Sequence, residues 1–124
     1  MNNEKKAIIL SKNEELSSRL RNLLEKIGIS YFSKRDKFEA LLSIFNSSIH
    51  LIFIDIDSTD NERFKLIQII KKIRPRLKIF VILNDLTVDT CEKFISIGAE
   101  YCLLNIENDV EFNAFANKLD QFEI

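Results

Sequence analysis

Runs of consecutive apolar residues at 7–10, 51–54, 79–83 and 101–104 punctuate this chain at fairly even spacing, and none of them alternates with polar residues. A strand apolar at every position has to be covered on both faces, the condition of a strand inside a parallel sheet. A more polar segment, Ile29-Ser30-Tyr31-Phe32-Ser33, predicts a further strand nearer an edge. Between these segments the apolar period lengthens to that of a helix. Leu16, Leu20, Leu23, Leu24 and Ile27 make one stripe that stops at Gly28. Phe38, Leu41, Leu42 and Phe45 make a second, and Phe64, Ile67, Ile70 and Ile73 a third that Pro75 ends. Val88, Cys91 and Ile95 mark a fourth, with Gly98 placed to take the positive φ of a helix C-terminus, and Phe112, Phe115, Leu119 and Phe122 the last. Strand and helix therefore alternate five times, which specifies an α/β fold with right-handed crossovers.

A chain of 124 residues is the size of one domain, so residues 1–124 are read as a single unit. Its 18 Lys and Arg against 19 Asp and Glu leave a net charge of −1, a poor endowment for binding phosphate backbones, and no nucleic-acid partner is expected. No apolar run approaches the roughly 20 residues of a membrane span. The opening Met1-Asn2-Asn3-Glu4-Lys5-Lys6 leads into an apolar run too short for a secretory signal. A cytoplasmic protein without a membrane partner is the expectation. Cys91 and Cys102 fit no metal spacing and no disulfide framework, and are read as small core residues.

In open α/β sheets, ligands gather outside the carboxyl ends of the strands. That rule singles out Ser11, Lys12, Asn13 and Glu14 after the first strand, the stretch from Asp55 to Asp60 after the third, Asn84 and Asp85 after the fourth, and Asn105 after the fifth. The two glycines, Gly28 and Gly98, are both committed to helix ends, so nothing remains to build a phosphate-cradling loop for a dinucleotide, a nucleoside triphosphate or a flavin. His50 is the single histidine and lies at the amino end of its strand, away from that site; a histidine metal cluster and a Ser-His-Asp triad are both ruled out. Asp55 stands out because a carboxylate closing a run as apolar as Leu51-Ile52-Phe53-Ile54 is costly unless the sheet edge receives it.

With five βα units, Ile52-Phe53-Ile54-Asp55, and the turn Gly98-Ala99-Glu100-Tyr101-Cys102-Leu103, the chain resembles a response-regulator receiver domain of the CheY-like kind over essentially its whole length. The second segment is similar to the family's Gly-Ala-Asp-Asp-Tyr-Leu. The resemblance implies a flavodoxin-like, doubly wound parallel sheet in strand order 2-1-3-4-5. It also implies a mechanism: a histidine kinase donates phosphoryl to the strand-three aspartate, and Mg²⁺ held by an acidic pair after strand one neutralises the developing charge. A strand-four hydroxyl and a strand-five lysine then read the product.

Carried over residue by residue, the resemblance makes Asp55 the phosphoacceptor candidate and departs from the family nearly everywhere else. The acidic pair falls on Ser11 and Lys12, the switch hydroxyl on Asn84 (or Leu83), the lysine on Asn105, its following proline on Ile106, and the switch aromatic on Cys102, with Tyr101 displaced by one. Mg²⁺ takes hard oxygen ligands in octahedral array, and only Asp57 stands near Asp55 to supply more. No cofactor is therefore expected. The reading that follows is a degenerate pseudo-receiver: the Lys12 ammonium replaces the metal and pairs with Asp55, so that losing it should cost about 3–5 kcal/mol. The same residues also fit a capping box, Ser11 as N-cap with Glu14 reaching back.

Three functions follow. The first is a non-enzymatic signalling module of a two-component phosphorelay, acting by contact with a histidine kinase or a downstream protein. The second is an atypical response regulator still phosphorylated on Asp55, and the third an unrelated flavodoxin-like binding domain. In the family the helix 4–strand 5–helix 5 face makes the contacts; here that face is expected to include Val88, Phe94, Tyr101 and Glu107, with homodimerisation an option. The aromatic stripe of the last helix is assigned mainly to the core.

Overall fold

The computed structural model describes residues 6–46, 48–56, 61–83, 88–103 and 109–119. All five strand–helix units are present: β1 Lys6–Leu10, α1 Glu14–Ile27, β2 Ser30–Lys34, α2 Lys37–Ser43, β3 Ile49–Ile56, α3 Asn61–Ile73, β4 Lys78–Leu83, α4 Val88–Ser96, β5 Tyr101–Leu103 and α5 Asp109–Leu119. The strands lie parallel in the order β2-β1-β3-β4-β5, with β2 at the edge as its polar sequence predicts. Among the described residues no helix is long and apolar enough to cross a membrane.

Continuous apolar strands are needed because strand alternation sends neighbours to opposite faces and both faces are covered. Ile8, Leu10, Ile52, Ile54, Ile79 and Val81 face α2, α3 and α4, meeting Ala40, Ile44, Ile67, Ile70 and Phe94. Ala7, Ile9, Leu51, Phe53, Phe80 and Ile82 face α1 and α5, meeting Leu16, Leu20, Leu24, Phe115 and Leu119. The second core is built around rings: Phe53 stacks on Phe80 at 5.1 Å, and Phe115 sits edge-on to both, at 6.1 and 5.9 Å. The aromatic residues Phe112 and Phe115 of α5 are thus core, as their spacing indicates; Phe122 lies outside the described residues.

Two helices are rotated from expectation. The predicted inward stripe of α2 turns outward, leaving Phe38, Leu42 and Phe45 64%, 73% and 66% exposed and Leu41 half-buried, while Ala40 and Ile44 meet the sheet. A helix of seven residues offers two competing stripes of nearly equal length, and its ends decide between them. The Asp36 carboxylate accepts from the Phe38 amide at 2.8 Å at one end. At the other, the Arg74 guanidinium donates to the carbonyls of Ile44, Asn46 and Ile49. Small Ala40 then lets the helix sit close over β1 and β2. In α4 it is Phe94 that enters the core, against Phe64 at 5.7 Å, and Ile95 that faces out. Ile73 of α3 is likewise exposed, Leu66 taking its place inside.

Both glycines end helices as expected. Gly28 (φ +79°) and Gly98 (φ +120°) occupy the left-handed position. The amides of Ile29 and Ala99 reach back to the carbonyls of Leu24 and Phe94, the mark of a Schellman turn. His50, second residue of β3, is half-buried with its Nδ1 2.8 Å from the Ser48 carbonyl oxygen, a structural role at the wrong end of the sheet for the site.

Candidate functional site

Register brings β1 and β3 side by side, Leu10 opposite Ile54. One residue further along each strand, Ser11 and Asp55 therefore come together on the α1 and α5 side. The Ser11 hydroxyl donates to Asp55 Oδ2 at 2.9 Å, and the same Oγ accepts from the Asn13 amide at 2.9 Å, shaping the turn into α1. Ser11 is buried at 5% exposure, whereas Asp55 is half-buried and faces the sheet edge. β3 runs on through Asp55 to Ile56, so the carboxylate is held by strand geometry and not by a loop.

The alternation that unites Ser11 with Asp55 separates Lys12 from it. One position on, Lys12 is exposed on the α2 and α3 side, where it lines a cavity of about 470 Å³ with Arg35, Asp36, Lys37, Glu62 and Arg63. The expected Lys12–Asp55 ion pair is not formed; a neighbouring hydroxyl receives the carboxylate instead. The capping box is also corrected. The N-cap of α1 is Asn13, whose side chain accepts from the Leu16 amide at 3.2 Å, and Glu14 bonds Arg21 at 2.7 Å, which holds its carboxyl below the usual carboxylate range. Asparagine at position 13 was the available signal, since Asn ranks with Ser as an N-cap.

Asp57, Asn84, Asn105, Ile106 and Glu107 lie outside the described residues. Cys102 faces α4, packed against the same core as Cys91, and the Cys91 Sγ lies 3.8 Å from the Cys102 carbonyl oxygen. Burial, together with the Cys91 thiol, pushes the Cys102 thiol up strongly, so it stays protonated. Tyr101 points to the other face, its ring 5.3 Å from that of Phe115, so it cannot substitute for Cys102 one position along. Phe94, expected on the outer α4–β5–α5 face, belongs to the core; Ile95 and Val110 are exposed there instead.

Among the described residues, the donors beside Asp55 do not make a divalent-ion site. At the position of the acidic pair stand a hydroxyl already spent on Asp55 and an ammonium turned away. Among the described residues no three Asp, Glu, His or Cys side chains gather closely enough to hold a metal. A separate cleft of about 580 Å³ between α1 and α5, bordered by Arg19, Leu23, Lys26 and Phe112, includes none of the site residues read from sequence.

No family model matches this sequence, and no curated protein matches it either. Solved structures do. The chain is similar to a response regulator from Thermotoga maritima at 19% identity and a TM-score of 0.80, covering 94% of this chain and 95% of that one. An orphan response regulator of H. pylori superposes with a TM-score of 0.76 at 15% identity over 98% of both chains. The receiver domain of NtrC4 from Aquifex aeolicus matches at 24% identity and 0.74 over 94% of both. The chain has the CheY-like receiver fold of response regulators, and Asp55 is the penultimate residue of its third strand.

Proposed function

We propose that the chain is a receiver-like signalling module of a two-component phosphorelay that has lost Mg²⁺-dependent phosphorylation and acts by contact with another protein, a histidine kinase or a downstream signalling partner. One observation carries this reading: the hydrogen bond from Ser11 to Asp55. Phosphoryl transfer to a carboxylate depends on positioning and on neutralising charge that builds on the transferred oxygens. A neutral hydroxyl donates one hydrogen bond but brings no negative charge to attract a cation, and the nearest ammonium of the same turn faces elsewhere. In this reading an uncharged donor, Ser11, engages the carboxylate where the family mechanism would use a metal ion.

A second reading, an atypical regulator still phosphorylated on Asp55, draws support from the half-buried carboxylate at the open end of β3. The experiment that separates the two is incubation with acetyl phosphate and Mg²⁺ followed by intact mass measurement. The proposal expects no phosphoryl adduct. An adduct that disappears in Asp55→Ala would establish the second reading.

A further inference from the structure

Among the described residues, five of the exposed large apolar side chains, Phe38, Leu42, Phe45, Ile69 and Ile73, sit on α2, the turn after it, and α3. Phe38, Leu42 and Phe45 follow one another at i, i+4 and i+7, and Ile69 and Ile73 at i and i+4, so each segment presents one apolar stripe. The two segments are held side by side at both ends. Lys37 Nζ meets Glu62 at 2.6 Å at the start, and Arg74 bonds the Ile44 and Asn46 carbonyls at the finish. Between them lies a trough about 10 Å long. It holds a cavity of about 300 Å³ whose apolar lining is Phe38, Leu41, Leu66 and Ile69. Exposed apolar surface gathered in this way marks an interaction site.

Charge selects the occupant. α3 carries Arg63, Lys65, Lys71 and Lys72 against Glu62 alone, and Lys37 neutralises that carboxylate. Lys65, Ile69 and Lys72 share one stripe, which places exposed ammonium groups along the apolar residues. A second copy docked across a two-fold axis would set these lysines against their own counterparts, and like charges oppose such pairing. We propose that the α2–α3 face binds an amphipathic helix of a partner protein, apolar along one stripe and acidic beside it. Phe38, Leu42 and Phe45 receive the apolar side chains, and Lys65 and Lys72 meet the carboxylates. This is helix-in-groove recognition, with anchors spaced as on any amphipathic helix. It holds whether or not Asp55 accepts phosphoryl.

Two synthetic helical peptides test it, identical in their Leu positions at i, i+3, i+4 and i+7, one flanked by Glu and the other by Lys. Titrated into the full ¹⁵N-labelled chain, the Glu peptide should shift amides of 37–45 and 62–73 saturably, more weakly as salt rises, and the Lys peptide should not. Leu42→Asp combined with Phe45→Ser should weaken the Glu peptide at least about tenfold with the thermal midpoint unchanged, because both positions are exposed. Lys65→Glu with Lys72→Glu should exchange the preference between the peptides. Absence of shifts with the Glu peptide, or equal binding of both, would overturn the proposal. So would light scattering that shows a wild-type dimer made monomeric by Leu42→Asp.

Discussion

Ser11 and Lys12 are adjacent in sequence and opposite in consequence, because the strand they leave sends successive side chains to different faces. Ser11 is buried, donates to Asp55 and accepts from the Asn13 amide. Ser11→Ala removes both bonds, so a loss of about 1–2 kcal/mol is expected from urea midpoints. Lys12 is exposed, and Lys12→Ala should change stability by less than about 0.5 kcal/mol. A reversed order, with Lys12 the costly position, would mean that the ammonium reaches Asp55 in solution. The residue type at position 55 and its place at the end of an apolar strand were legible in the sequence. Its partner was not, since choosing Ser11 over Lys12 required the β1–β3 register, a long-range property that no local pattern encodes.

Elements were read well where the helix was long and poorly where it was short. The 14 residues of α1 give one stripe time to dominate, and Leu16, Leu20 and Leu24 are buried as expected. α2 has seven, and its larger side chains lost the inner face to Ala40 and Ile44 because Asp36 and Arg74 fix its ends. In α4 the neighbours Phe94 and Ile95 exchanged roles, a slip of one position on the helix. The glycine ends were legible because positive φ leaves few other residues possible. They differ in their surroundings, which gives a graded test. A Cβ at Gly28 meets nothing within 4 Å, so Gly28→Ala carries backbone strain alone, about 1–2 kcal/mol. A Cβ at Gly98 would approach Lys71 Cε to 2.7 Å and displace a side chain whose ammonium bonds the Pro75 and Leu77 carbonyls. Gly98→Ala should therefore melt lower than Gly28→Ala in parallel thermal scans; equal midpoints would show that Lys71 moves aside without loss.

Across the whole molecule, phenylalanine serves two ends, and the distinction is measurable. Phe115 is fully buried and its ring meets those of Phe53, Phe80, Tyr101 and Phe112, whereas Phe45 is 66% exposed. Phe115→Ala should cost about 3–5 kcal/mol and Phe45→Ala less than about 0.5 kcal/mol, read from urea unfolding. Comparable losses would place Phe45 in a core. The receiver fold is thus complete in its two cores and its strand order, while a hydroxyl bonded to Asp55 and an outward ammonium stand at its carboxyl edge. Titration of Mg²⁺ into the ¹⁵N-labelled chain reads that site without any phosphodonor. The amides of Ser11, Lys12 and Asp55 should stay in place through millimolar metal, moving no more than surface amides elsewhere. Saturable shifts confined to those residues would contradict a Ser11-held Asp55 and restore the metal site.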